Sequence, residues 1–170
     1  MTRGKNVTVL AMLLLMAASL SSCRSRSDKD GVAAVLEKVA ASVEDKDVDR
    51  LIACLGADYM DFEGRDRIAT RAMVEEYFSR YRGIKAKVLA SRIAVGEAGT
   101  AAADIDVSLY SGVGAALRKA VGFSGENYRV SCTLRREPEW RIIKARWEYV
   151  PVQDLFPESL EILKKIFPDL

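Results

Sequence analysis

The sequence predicts an α+β domain in which three N-terminal helices pack on a curved antiparallel sheet and a short C-terminal helix follows. Two patterns predict this class. Between residues 31 and 82, apolar side chains recur every three or four positions, which is the period of amphipathic helices. Between residues 87 and 149, apolar and polar side chains alternate, which is the period of half-buried strands. Helices in one run and strands in another are typical of α+β proteins.

Three helices are expected before the sheet. The first covers residues 31–45 and the second covers residues 47–55, where Gly56 supplies a C-terminal stop. The third covers residues 67–82. The stretch between the second and third helices, residues 57–64, places aromatic residues among acidic ones, and we expect an irregular segment there.

Four strands are expected next, at residues 87–95, 100–110, 128–135 and 140–149. Glycines cluster in residues 111–126, which predicts a loop between the second and third strands. The first three strands alternate apolar and polar side chains, whereas the last is apolar on both sides. One face of the sheet is therefore expected to be buried.

The other face of the second strand carries acidic residues. Asp104 and Asp106 alternate with Ala103, Ile105 and Val107, so they point away from the apolar face. We expect a solvated face with cross-strand charge pairs, each worth a few tenths of a kcal/mol.

A short helix is expected after the sheet. Pro151 breaks the last strand, and Pro157 can open a helix at its first position. The polar side of this helix mixes acidic and basic residues, whereas a helix that lies on a membrane usually has a basic polar side. We therefore expect it to pack on its own domain.

The first residues have the organisation of a secretory signal. Arg3 and Lys5 precede an uncharged run from Val7 to Leu20. As a helix this run spans roughly 21 Å. A membrane-spanning helix must cross a hydrocarbon core of roughly 30 Å, so the run is too short to be one.

The four residues Leu20-Ser21-Ser22-Cys23 resemble the lipobox of bacterial lipoproteins. The resemblance implies that residues 1–22 are removed, that Cys23 takes a diacylglycerol thioether, and that its new amine receives a further acyl chain such as palmitate. Two or more chains are needed for stable anchoring. Residues 23–30 would then be the lipidated cysteine and a polar tether. The alternatives are an ordinary signal peptide with an incidental cysteine, and an uncleaved anchor helix.

The same resemblance implies a location. The protein would be lipid-anchored in the bacterial cell envelope, with the membrane as its first partner. The residue after the cysteine is Arg24 and not aspartate. By the sorting rule of enteric bacteria, this favours the outer membrane, facing the periplasm, if the source is Gram-negative.

Charge and composition exclude several classes of function. The signal holds two of the 26 basic residues and none of the 24 acidic ones, so the mature chain carries 24 of each. A neutral chain without a basic block offers little charge to neutralise phosphates, so no nucleic-acid partner is expected. The chain has no histidine, which removes the commonest metal ligand and the commonest general base. No metal or cofactor is expected.

Two cysteines remain once Cys23 is lipidated. Cys54 and Cys132 could form a disulfide, since the envelope permits one. Both lie among apolar neighbours on expected regular elements, so we favour buried free thiols that behave as small apolar residues. A zinc site of two cysteines without histidine has little support.

The order of elements resembles the nuclear-transport-factor-2-like, or cone-fold, superfamily, which includes ketosteroid isomerase and scytalone dehydratase. Matching phrases are EDKDVDRL at residues 44–51, LGADY at 55–59 and EWRIIK at 139–144. The resemblance covers residues 31–150 and leaves residues 151–170 as a tail with a short helix. It implies a cystatin-like roll whose helices and concave sheet enclose a pocket, and a homodimer formed through the sheet.

The resemblance also implies which residues approach the pocket. They lie on the segment after the second helix, on the third helix and on the late strands. The alternative is that all of them are plain core, as large aromatics usually are. The six are Tyr59, Phe62, Phe78, Cys132, Trp140 and Trp147.

Any acid–base chemistry would depend on a carboxylate, because histidine is lacking. Asp58, Asp61 and Glu63 are weak candidates, with Tyr59 as a donor to a developing oxyanion. A buried carboxylate with a raised pKa could abstract a proton beside a carbonyl. However, the isomerase pattern of paired pocket acids with a tyrosine is not matched residue by residue. No catalytic residue is therefore predicted.

Three functions follow from these observations. The first is a lipid-anchored envelope protein whose cone-fold domain binds a small apolar ligand or a protein partner without catalysis. The second is a pocket enzyme of the isomerase or dehydratase type that uses one carboxylate. The third is a dimeric structural module of an envelope complex, with its cone filled by its own side chains. The interior of the cone distinguishes them.

Overall fold

The chain folds into helices on one side of a single five-stranded sheet. The computed structural model describes residues 28–81, 83–111 and 126–166. Cys23, the signal residues and most of the loop predicted at 111–126 lie outside the described residues. No helix within the described ranges is long and apolar enough to span a membrane.

The helices and strands follow one another in the order that the sequence predicts, with one added strand. The elements in chain order are α1 (residues 28–45), α2 (Val48–Ile52), β1 (Leu55–Asp61), α3 (Arg67–Arg80), β2 (Ile84–Val95), β3 (Thr100–Ser111), β4 (Glu126–Arg136), β5 (Trp140–Tyr149), a 3₁₀ turn (Val152–Asp154) and α4 (Pro157–Ile166).

Helix α1 starts earlier than predicted. Residues 28–30 belong to it and not to the tether, because Asp28 is buried and accepts a hydrogen bond from Arg136 Nη1 at 2.7 Å. One turn later, Gly31 lies against the indole of Trp140, where a Cβ would approach Trp140 Cδ1 to 2.7 Å. These two contacts fix the start of α1 to the β4–β5 hairpin.

The segment after α2 is a strand, whereas the sequence predicted a helix to residue 55 and irregular chain beyond it. Strand β1 pairs in parallel with β5, with Leu55 opposite Ile142 and Asp61 opposite Ala145. Gly56 is a strand residue, and a Cβ there would lie 2.9 Å from Ile143 Cγ2. Its role is therefore close approach to β5 and not helix termination.

The sheet has the order β1-β5-β4-β3-β2, and every pair except β1–β5 is antiparallel. The register shifts between Val88 and Ala90 and again between Thr133 and Leu134. Such irregularities bend a strand and increase its twist. The main core lies between the concave face and the helices α1–α3; its apolar members include Val32, Leu36, Leu51, Val74, Phe78, Ala103, Ile105, Cys132, Leu134 and Ile142.

Helix α4 packs on the opposite face of the sheet, as predicted for a helix that rests on its own domain. Leu155 and Leu163 form a second core with Leu89 and Val150. Arg92 Nη2 of β2 also bonds Glu158 Oε2 at 3.2 Å. Helix α4 thus covers part of the outer sheet face, through which the cone-fold resemblance implies a homodimer.

This packing corrects the prediction that Asp106 faces solvent. Asp106 is fully buried and accepts hydrogen bonds from Arg129 Nε at 2.9 Å, Phe156 N at 2.6 Å and Ser159 Oγ at 2.9 Å. Alternation placed it on the outer face correctly, but α4 lies over that part of the face. Asp104, one pair of residues earlier, stays exposed and accepts a hydrogen bond from Ser131 Oγ.

Candidate functional site

The candidate acids of the 58–63 segment are all paired with arginines. Arg135 Nη2 donates to Asp58 Oδ2 at 2.9 Å, and this hydrogen bond lowers the pKa of Asp58. Glu63 forms an ion pair with Arg65. Neither carboxylate is buried.

Asp61 is buried and organises the turn that follows β1. Its Oδ1 accepts hydrogen bonds from the backbone N–H groups of Glu63 and Arg65, each at 2.9 Å, and its Oδ2 accepts one from Arg65 Nε at 2.6 Å. Burial alone would raise the pKa of Asp61, but these donors outweigh it and the pKa is lowered. The carboxylate is therefore held ionised, which is the opposite of the raised pKa that the enzyme hypothesis requires.

Tyr59 lies in the core, with 4% of its surface exposed. Burial, together with the nearby negative charge of Asp61, raises the pKa of Tyr59 to about 12. Its phenol is thus kept protonated. It is enclosed by other side chains of the core.

The structure does not gather the six predicted pocket residues around one cavity. Tyr59, Phe78, Cys132 and Trp140 are buried members of the core cluster. Phe62 and Trp147 instead form an edge-to-face pair at the rim, with ring centroids 4.9 Å apart. Whether any of the six contacts a ligand stays a prediction.

The two cysteines of the domain are free and buried, as favoured from the sequence. Cys54 Sγ donates to Arg50 O at 3.4 Å, and burial raises the pKa of its thiol. Burial raises the pKa of Cys132 to about 12. Within the described ranges, no group of three or more Cys, Asp or Glu side chains is arranged to hold a metal ion.

A groove of about 400 Å³ lies between α1 and the β4–β5 hairpin. Its floor includes Trp140 and Cys54, and its walls carry charged residues. Four of these charges form two ion pairs, since Asp28 bonds Arg136 and Glu139 bonds Arg141 at 3.3 Å. The volume falls within the ordinary range for small-molecule sites.

The two ends of the cone differ in character. We call one the hairpin end: the start of α1 lies there with the turns at 96–99 and 137–139, because Arg136 bonds both Asp28 and the backbone O of Gly99. At the opposite end, Glu44 of α1 accepts a hydrogen bond from Ala86 N at 3.2 Å.

Four tyrosines lie at that opposite end, which we call the tyrosine end, and Tyr77 and Tyr81 are close enough to Tyr128 to contribute to its raised pKa. Tyr77 of α3 and Tyr81, the residue that ends this helix, have ring centroids 4.5 Å apart. Tyr128 and Tyr149 face each other across β4 and β5 with centroids 6.3 Å apart. Tyr128 also donates its hydroxyl to Glu126 Oε2 at 2.6 Å.

Sequence reasoning missed this tyrosine cluster. Tyr77 and Tyr81 follow the apolar period of the third predicted helix, and Tyr128 and Tyr149 follow the alternation of two predicted strands. The spacing of four residues predicts that Tyr77 and Tyr81 are neighbours, but it does not pair Tyr128 with Tyr149. What brings the pairs together is the register of β4 against β5 and the position of α3 over it, neither of which is encoded in the spacing of one strand.

Comparisons with known proteins support the fold. No family model matches the sequence, and no curated protein matches it. An NTF2-like protein with a cystatin-like fold from Novosphingobium aromaticivorans is similar in structure, with a TM-score of 0.62 and 15% identity over 85% of this chain and 94% of that one. A candidate scytalone dehydratase from the same organism has a TM-score of 0.65 and 10% identity over 76% of this chain and 89% of its own.

A third similar structure is that of Bdellovibrio bacteriovorus Bd1075, with a TM-score of 0.58 and 12% identity over 71% of this chain. This chain spans only 40% of that protein. At such identities the likeness concerns the fold and not the activity. The described domain therefore has the mixed α+β fold of NTF2-like, cystatin-like proteins.

Proposed function

We propose that this protein is a bacterial lipoprotein, held in the cell envelope by lipid on Cys23, whose cone-fold domain binds a small apolar ligand or a protein partner without catalysis. The proposal joins the lipobox of the precursor to the fold of the domain.

A strip of partly exposed aromatic side chains on the sheet supports the binding role. Trp147 and Tyr149 share one face of β5, opposite Val130 and Tyr128 of β4. Phe62 packs on Trp147, and 44% of its own surface is exposed. Contiguous exposed aromatic surface is costly in water and commonly marks a binding site.

The pairing of the candidate carboxylates with arginines supports binding without catalysis. Each carboxylate of the 58–63 segment is neutralised by a guanidinium group, and the pKa values of Asp58 and Asp61 are lowered. A carboxylate with a lowered pKa is a weak base. These residues serve the turn and the sheet edge, so we do not assign them a catalytic role.

The start of α1 supports anchoring close to the membrane. Helix α1 begins by residue 28, five residues after Cys23. A fully extended chain of that length reaches roughly 18 Å. A lipid on Cys23 would therefore keep the hairpin end near the bilayer surface.

Native mass spectrometry of the detergent-extracted full-length protein from its host tests both parts. We expect a chain that begins at Cys23 and carries lipid mass, together with a retained ligand or partner. Cys23→Ala should remain unlipidated, whereas Cys54→Ala, the matched control, should be lipidated normally. An unmodified precursor would refute the anchor, and a clean dimer without ligand would favour the structural-module alternative.

A further inference from the structure

We infer that the tyrosine cluster binds an alkylammonium cation such as the trimethylammonium group of a choline-type ligand. The cluster consists of Tyr77, Tyr81, Tyr128 and Tyr149 together with Glu126. The inference rests on the proposed binding role; it adds the location of the site and replaces the small apolar ligand with one that carries a positive charge. It does not depend on lipidation of Cys23.

The geometry places several ring surfaces at one end of the domain. The rings of Tyr77 and Tyr81 are tilted by 42°, and those of Tyr128 and Tyr149 are nearly perpendicular at 87°. The exposed fractions are 36% for Tyr77, 38% for Tyr81 and 63% for Tyr149, so solvent reaches the rings. Rings at different inclinations can contact one compact group from several sides, which is how aromatic cages hold quaternary ammonium ions.

The charge of the cluster selects a cation. The face of each phenol ring is electron-rich and attracts positive charge within about 6 Å of the ring centroid. Glu126 adds a carboxylate, and its partner Tyr128 is a neutral donor, since burial and the hydrogen bond to Glu126 raise the pKa of Tyr128.

Three other aromatic rings among the described residues already lie near a guanidinium group. Arg65 lies 5.2 Å from the ring centroid of Trp147, and Arg146 lies 5.8 Å from that of Phe62. Phe156 is covered by Arg92 at 3.8 Å and by Arg129. Among the described residues, no guanidinium or ammonium group lies over the four tyrosines.

Two described lysines at this end, Lys46 and Lys85, are already engaged, and Lys85 bonds Glu44. Lys46 Nζ donates to the backbone oxygens of Phe78, at 2.8 Å, and of Tyr81, where it satisfies the C-terminal carbonyls of α3. Its ammonium group is thus directed at the backbone and not at the rings. The cluster has the features of a cation site in which the cation comes from a ligand.

Titration of the full-length protein in maltoside micelles with choline tests the inference. We expect saturable binding of choline and much weaker binding of 3,3-dimethylbutan-1-ol, which has the same shape without the charge. Equal binding of the two compounds would show a merely apolar site and overturn the inference. Absence of saturable choline binding would also overturn it.

Variants locate the site. Tyr149→Leu removes an exposed ring and Glu126→Gln removes the charge, and each should weaken choline binding roughly two- to fivefold. Ile68→Ala, the control at an exposed apolar residue of α3 outside both the cluster and the aromatic strip, should leave binding unchanged. Unaltered affinity in both cluster variants, with circular dichroism spectra that match the parent protein, would overturn the assignment.

Two further experiments identify the source of the cation and show which of the two proposals fails. Short-chain phosphatidylcholine that displaces choline, where short-chain phosphatidylglycerol does not, would identify a lipid headgroup; binding of free choline alone would identify a soluble ligand. Choline binding by Cys23→Ala would uphold the site even if the anchor were wrong. A different ligand retained in native mass spectrometry, without choline binding, would refute this inference and leave the proposed function in place.

Discussion

Asp61 shows how burial and hydrogen bonding together decide the role of one carboxylate. Its side chain is fully buried, while the partner Arg65 is only 25% exposed. In water both groups would be well solvated, so the cost of burial must be offset by the hydrogen bonds they exchange. The turn after β1 therefore depends on the charge of Asp61 and not only on its shape.

Asp61→Asn should destabilise the domain by about 2 kcal/mol, because two backbone N–H groups and Arg65 lose a charged acceptor. Asp58→Asn is the matched control. Its side chain is 55% exposed in the pair with Arg135, so about 0.5 kcal/mol or less is expected. Urea unfolding of both variants at neutral pH measures the difference, and equal effects would contradict a special role for Asp61.

The pH dependence of the same variant follows from the lowered pKa of Asp61. A carboxylate whose folded pKa is depressed contributes stability above its unfolded pKa of about 3.9 and loses it as pH falls through the folded value. The stability gap between the parent protein and Asp61→Asn should therefore be constant at neutral pH and close below about pH 4.

Among the helices and strands, the sequence predicted those whose apolar and polar residues follow a regular period along the chain. Strands β2–β5 were expected within a few residues of their observed bounds, because alternation extends over each of them. Strand β1 was missed: its Leu55 continues the helical spacing of Leu51 and Ile52, and its pairing with β5 is formed only by tertiary contact. The tyrosine cluster was missed for the same reason, since register is not visible in one strand.

Helix α4 is an element whose start is capped from another part of the chain. Asp106 accepts hydrogen bonds from Phe156 N, just before the helix, and from Ser159 Oγ in its first turn, while Arg129 neutralises the charge. A carboxylate at this position satisfies free backbone donors and opposes the positive end of the helix. The outer face of β3 thus determines where α4 docks.

Asp106→Asn should release this cap and leave Arg129 without its counter-charge, at a cost of about 3 kcal/mol. Asp104→Asn, on the same face of β3 but exposed, is the matched control and should cost about 0.5 kcal/mol or less. Urea unfolding measures the cost, and limited proteolysis should cut α4 faster only in Asp106→Asn. Equal proteolysis of the two variants would contradict the capping role.

For the whole molecule, the length of α1 relates the tyrosine cluster to the proposed anchor. Helix α1 runs from the hairpin end to the tyrosine end over residues 28–45. That is roughly 27 Å at 1.5 Å per residue. With the hairpin end tethered close to the bilayer, the tyrosine end would stand away from the membrane, where a soluble ligand or a partner can reach it.

Site-specific fluorophores on the membrane-bound protein can measure this orientation. A label at Glu97→Cys, in the turn of the hairpin end, should be quenched by headgroup-attached quenchers more strongly than one at Glu76→Cys on exposed α3. Cys54 and Cys132 are buried with raised pKa values, so they should react slowly with the label. Cys23→Ala, added to each labelled protein, should abolish quenching at both positions because the tether to the bilayer is lost. Stronger quenching at position 76 would reverse the orientation and place the tyrosine cluster against the lipid.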